Sequence, residues 1–274
     1  MAGETAPDPV SGVESGGWSR FSPRQRAWQV FWVAIATIVT IYSYLQLPVN
    51  YGYILTAHLA LYDLFSRMWP PNYYYAPELL WPTIETIHIA ILGTIGALIL
   101  AIPVAFLAAE NTSPNIATLF MGKFIVVASR SVPTIIWALI FVVIMGAGAL
   151  AGVLAIIVRS IGFCGKLLGE EIEEIDYGQI EAISATGANP LTVIVYGIVP
   201  QIKPAFVGIA TYRWDINIRA STILGFVGAG GIGVQLLWNM NTFQWKSVLM
   251  ILVIILGLVL ISEGVSAWAR RKVR

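Results

Sequence analysis

Cysteine and histidine are almost absent: the chain has Cys164 alone and only His58 and His88 among its 274 residues. A disulfide framework within the chain is thereby excluded, and so few donors give no zinc-ligand spacing. The thiol reads as a small buried hydrophobe. Charge is also scarce. Only 11% of residues are charged against 57% hydrophobic, far more apolar surface than a soluble core of this length hides. The expected solvent is a membrane. With a formal net charge of +1 and no basic arm at either end, nucleic acid is not expected as a partner. The apolar segments run continuously instead of alternating, which excludes a β-barrel.

What is present is a series of long apolar runs. Residues 1–26 hold Glu4, Asp8, Glu14 and two prolines before residue 10, with no apolar stretch of signal-peptide length, and read as a disordered cytoplasmic tail. Arg20, Arg24 and Arg26 then precede the first span, Ala27 to Leu47. Pro48 to Trp81, rich in Tyr and Trp, reads as an external loop with an interfacial aromatic belt. Ile89 to Ala109 is a second span, and the segment after it, with Glu110, Lys123 and Arg130, reads as cytoplasmic. Ser131 to Val158 is uncharged but longer than one span and shorter than two. Pro133 favours a helix start, and Gly146, Gly148 and Gly152 offer a turn. Span three is therefore placed at about Pro133 to Ala147 and span four at about Leu150 to Leu168, with Arg159 inside it.

Span five is expected from about Ile202 to Gly225 and span six from Ser247 to Trp268. Of the 16 Lys and Arg residues, Arg67 and Lys246 fall outside and Arg159, Arg213 and Arg219 lie within spans. The rest lie on the side of the termini, Lys166 and Lys203 at the ends of spans four and five that face it, which predicts an all-α polytopic membrane protein of about six spans with both termini cytoplasmic. Its transmembrane domain is 27–274.

The polar interval 170–200 between spans four and five is too organised for a random loop. Asp176 and Gln179 have capping-box spacing, so a helix should start near Tyr177 and run through Glu181, Ala182 and Ala185. Gly187 is placed to end it in the left-handed conformation. Asn189 and Pro190 then read as N-cap and first-turn proline of a second short helix, which Pro200 limits.

Glu181-Ala182, Gly187 six residues after the Glu and Pro200 thirteen after the Gly resemble the EAA loop of ABC-importer permeases. The departures are Ile183, Gly197 and Val199 where that family has alanine, isoleucine and leucine. Arg130-Ser131-Val132-Pro133 and Gly228-Ala229-Gly230-Gly231-Ile232-Gly233 also resemble type I permeases of this family. Thr94 to Asn111 and Asp215 to Gly225 look closest to its phosphonate branch. The resemblance covers approximately Trp81 to Val265. It implies a permease subunit with no catalytic site, metal or cofactor of its own. ATP and Mg would act on partner ATPase subunits docked at 170–200, with Glu181, Ala182, Gly187 and Pro200 as coupling residues. It also implies a second permease subunit, identical or paralogous, and an external solute-binding protein. The substrate it implies is a phosphonate, phosphate or phosphite.

Two further motifs are decoys by their context. Gly228, Gly230 and Gly233 have dinucleotide-fingerprint spacing, but the nearest downstream acid is Glu263, near the end of another span. Gly165-Lys166 lacks both the first glycine and the terminal Ser or Thr of a Walker A loop. Three charges within span five, Arg213, Asp215 and Arg219, are candidates for the substrate pathway. The alternative is structural, since Asp215 and Arg219 are spaced to neutralise one another on one helix face; paired so, they would mainly fix the helix and leave Arg213 to line the pathway. Glu85 and His88, one turn apart, read as an interfacial, solvated pair. A multi-span membrane enzyme would need a catalytic cluster that is not seen. An ion-coupled secondary transporter would be supported by an internal repeat, and none is visible.

Overall fold

The structure, a computed structural model, describes residues 23–47 and 52–273. The expected tail lies outside the described residues as far as residue 22. The chain divides at residue 60 into two units. In the first, α1 (Pro23–Gln46) is an apolar helix on which Trp28 and Trp32 stack with centroids 6.4 Å apart. Residues 23–26, expected in the tail, already form its first turn.

The aromatic segment expected as a loop is a helix for half its length. Gly52–Met68 forms α2, which begins in the first unit and ends in the second, and Tyr73–Leu79 winds as a 3-10 turn. Asp63 and Arg67 pair one turn apart on α2, so its only opposite charges are neutralised locally. In the second unit α3 (Leu80–Ala108) starts nine residues before the expected span and carries Glu85 and His88 within it. Among the described residues no hydrogen bond joins that pair.

Asn115 opens α4 (Ile116–Ser131) with a full capping box, its side chain accepting from Ala117 and Thr118 while Thr118 Oγ1 accepts from the Asn115 N–H. After Pro133 the chain turns through 91° into α5 (Thr134–Met145). Span three is corrected here: twelve residues at about 1.5 Å each fall well short of a hydrocarbon core of about 30 Å. Among the described residues five helices are long and apolar enough to cross a membrane, and the count reaches six only if the bent α4–α5 pair is one broken span.

Gly146 and Gly148 make the turn into α6 (Ala149–Glu173), whereas Gly152 belongs to α6, where it lets the helix approach the Ala229 carbonyl. Beyond α6 come α7 (Tyr177–Ser184), α8 (Pro190–Val193), α9 (Val199–Leu224), α10 (Ile232–Asn241) and α11 (Trp245–Val273). No strand occurs among the described residues. The main packing seam joins α3 to α6, with Ala101 and Ala105 against Cys164 and Leu168, and α9 closes it through Ile202 and Ile209. Small residues let the backbones come close where lipid supplies no hydrophobic drive. Cys164 is buried in this seam.

Candidate functional site

The polar loop folds as two helices, but not as first expected at either end. Asp176 caps α7, its Oδ1 accepting from the Gly178 N–H at 2.9 Å. The reciprocal bond expected from Gln179 is made instead by Gln201, whose Oε1 accepts from the Asp176 N–H at 2.8 Å. Gln201 Nε2 also donates to the Gly197 and Asp176 carbonyls at 2.8 and 3.3 Å. One side chain thus ties the start of α7 to the start of α9.

Asn189 caps α8 by accepting from the Thr192 N–H at 2.8 Å, with Pro190 in the first turn. Pro200 does not end the helix. From Pro190 the chain continues without a break to Val227, through a π turn at Ile194–Ile198 in which the Val199 N–H reaches back five residues to the Ile194 carbonyl. The widened turn sits just ahead of the proline, which has no N–H to give and whose ring crowds the preceding turn.

Glu181, Ala182, Gly187 and Pro200 are all exposed, and α7 has no buried residue. Gly187 adopts φ 80°, as the left-handed reading predicted, and no atom lies within 4 Å of where its Cβ would stand. The departures Ile183 and Gly197 prove to be complementary. Ile183 Cδ1 and Ile180 Cγ1 lie 3.4 and 3.6 Å from where a Gly197 Cβ would be, so these isoleucines fill the space the glycine leaves. Tyr177, Leu191 and Tyr196 leave an apolar surface exposed on the loop.

The second group is on α9. Asp215 is buried and forms an ion pair with Arg219, whose side chain is 53% exposed. Ser262 of α11 donates to the other carboxylate oxygen at 3.0 Å. Arg213 is only 6% exposed; its Nε donates to Ser160 Oγ at 2.8 Å and its guanidinium lies 5.1 Å from the Phe163 ring centroid. Within this chain, Arg213 therefore faces α6 and does not stand free as expected, and Arg219 is the arginine on the accessible side.

Sequence reading missed what continues from Arg213. Ser160 donates to Asn217 Oδ1 at 3.3 Å, and Asn217 Nδ2 donates to Thr94 Oγ1 at 2.9 Å. This buried polar string joins α9 to α6 and α3. In sequence its only trace is a polar residue in each of three apolar runs. The glycine-rich segment serves a different end from a nucleotide cradle, as its context indicated. It follows a 3-10 turn, Gly225–Val227, and Gly231 at φ 75° brings the Ile232 N–H to Thr86 Oγ1 at 2.8 Å.

Continuous apolar helices with a polar, exposed helical loop between two of them make this a multi-pass membrane protein. The chain belongs to the family described as binding-protein-dependent transport system inner membrane component, which matches residues 101–274. It is similar to the phosphite transport system permease protein PtxC of Stutzerimonas stutzeri, at 36% identity over 88% of this chain and 90% of that one. It is also 36% identical to the phosphate-import permease protein PhnE of Mycolicibacterium smegmatis, over 76% of this chain and 40% of that protein. A chain of the MetNI methionine ABC transporter, in an inward-facing conformation, shares the fold with a TM-score of 0.62, at 24% identity over 74% of this chain and 99% of that one.

Proposed function

We propose that the chain is one half of the membrane pathway of an ATP-driven importer for a phosphorus oxyanion: phosphite, phosphonate or phosphate. The substrate class follows from relatives named as phosphite, phosphonate and phosphate permeases at 36 to 39% identity. The observation that carries the mechanism is the Gln201 clamp. It fixes the exposed helix α7 to the start of a helix that runs unbroken from the loop to Val227. A partner that moves α7 moves the spanning helix with it. On this reading 170–200 docks an ATPase subunit through Glu181, Ala182, Gly187 and the apolar surface around Leu191 and Tyr196. Both termini are cytoplasmic, a second permease subunit completes the pathway, and an extracytoplasmic binding protein delivers the ion. ATP and Mg act on the partner ATPase.

Arg213, Asp215 and Arg219 divide between two roles. Asp215, held by Arg219 and Ser262, fixes α9 against α11. Arg219, half exposed, is the charge a passing anion meets, and Arg213 tightens α9 on α6. The test is purification of the chain from membranes of its own host with reporters at the loop and at both ends. The expected result is an associated ATPase, lost on Glu181→Lys, and cytoplasmic reporters at all three places. An external reporter at 170–200, or no ATPase associated with the intact chain, would refute the docking role.

A further inference from the structure

An open cleft of about 640 Å³ lies between α4 and the C-terminal half of α6. Lys123 and Arg130 line it from α4, and Arg159, Lys166, Glu170 and Glu173 from α6. Each helix contributes two cations seven residues apart, two turns, so that each pair shares a face. The helices run in opposite directions: Arg130 lies beside Gly162 in the middle of α6, whereas Lys123 reaches Glu110, whose N–H is bound by Glu173 at the end of α6.

The charges along this cleft are compensated at one end only. Towards the loop, Lys123 pairs with Glu110 at 2.7 Å and Lys166 with Glu170 at 3.2 Å. The Lys123 hydrogen bond holds the Glu110 carboxyl below its ordinary range, as a formed pair requires. Deeper in, neither Arg130 nor Arg159 has an ion pair among the described residues. Close backbone packing sets Arg130 against α6 one turn from Arg159. A Cβ on Gly162, one turn beyond Arg159, would stand 2.5 Å from the Val126 carbonyl oxygen and 2.9 Å from Arg130 Cγ. Ser129 holds the contact, donating to the Val158 carbonyl and accepting from the Gly162 N–H at 3.0 Å.

Two guanidinium groups close to one another repel, and Arg159, half-buried within α6, also pays desolvation, whereas Arg130 beside it is exposed. Arg130 gains from its place in the last turn of α4, but Arg159 is in the middle of a 25-residue helix, out of reach of either end's dipole. An anion with several oxygens can accept from both planar forks.

We propose that Arg130 and Arg159 form a binding site for a tetrahedral phosphorus oxyanion, occupied by the transported ion on its way along the cleft toward the loop. The inference rests on the reading of the chain as an oxyanion permease and adds a site to it. The chemistry is shared with a phospholipid phosphate, so the test has an arm for each source.

The transporter, purified with its partner subunits in phosphatidylcholine nanodiscs, is titrated with phosphite, methylphosphonate and inorganic phosphate, and uptake of the same ions is measured in cells. At least one ion should bind, and Arg130→Gln and Arg159→Gln should each weaken it by at least about tenfold and lower uptake to match. Arg159→Lys should recover part of both, and Arg67→Gln, an exposed charge on α2, should change neither. Without ligand the two Gln variants should be as thermally stable as wild type or more so, because repulsion is relieved; a structural role predicts the opposite. Unchanged binding and uptake in both Gln variants would overturn the site while leaving the permease reading intact. Retention of an anionic phospholipid by wild type but not by the variants, with no response to free oxyanion, would overturn it in favour of a lipid headgroup site. A wild-type transporter that neither binds nor carries any of the three ions would overturn the oxyanion substrate class itself.

Discussion

Asn217→Leu removes the middle of the buried string between α3, α6 and α9 while nearly preserving side-chain volume. Asn217 is 1% exposed and makes two interhelical hydrogen bonds, one at 2.9 Å to Thr94 and one at 3.3 Å from Ser160. The losses are unequal. Thr94 Oγ1 still donates to the Ala90 carbonyl at 2.6 Å and forfeits only an accepted bond. The Ser160 hydroxyl keeps Arg213 as its donor but loses its acceptor, leaving a buried O–H stranded. Interhelical hydrogen bonds in membranes average about 0.6 kcal/mol, and a stranded buried donor costs about 1–3 kcal/mol. With the asparagine's own desolvation relieved, the net loss is about 1–2 kcal/mol, or about 2–8 °C in melting temperature for a chain of this size. The assay is thermal unfolding in nanodiscs, with Ser160→Ala and the double variant completing a cycle. Ser160→Ala should cost less in the Asn217→Leu background, since it then removes a hydroxyl already stranded. An unchanged or raised melting temperature for Asn217→Leu, with strictly additive effects, would refute the string as a stabilising element.

Gly187→Val introduces strain of about 1–2 kcal/mol at a left-handed position with no steric clash, so the chain should insert normally while uptake falls. Gly187→Asn, which tolerates that conformation, should keep most of it; equal uptake in Val and wild type would remove Gly187 from coupling. Gly231→Ala places a Cβ 2.6 Å from Thr86 Oγ1 at a residue with φ 75°, and the expected result is little folded chain in membranes; normal yield would contradict the turn's role. Asp215→Asn strands Arg219, but that side chain is half exposed, so the melting loss should correspond to about 1–2 kcal/mol and not the 3–5 of a fully buried pair. Adding Arg219→Gln should restore part of it, and no recovery would show that the Ser262 contact dominates.

The spans with continuous apolar sequence were legible because hydrophobic length is the strongest signal a membrane chain carries, and α6, α9 and α11 each contain the run expected of them. The loop caps were legible for a similar reason: Asp176, Gly187 and Asn189 act through local geometry. The misses are of another kind. Gly52–Met68 is shorter than a span and bounded by Pro48 and Pro70, and its Tyr content read as an interfacial belt. Pro200 read as a stop because the π turn that accommodates it depends on packing, with Gln201 contributing from the side. Gln201 displaced Gln179 as the partner of Asp176 across 25 residues, a choice no local spacing encodes. The same holds for Ser160 with Asn217 and for Arg130 beside Arg159, which only the packing of separate helices brings together.

As proposed above, this chain carries a phosphorus oxyanion inward at the expense of ATP hydrolysed by a partner docked on residues 170–200. The most direct test is uptake of labelled phosphite, methylphosphonate or phosphate by proteoliposomes holding the assembled transporter. Binding protein is supplied on one face and ATP on the face of the loop. At least one of these ions should accumulate, with a requirement for both additions, and Glu181→Lys should abolish it. Accumulation without ATP, or driven by an ion gradient alone, would contradict the proposal.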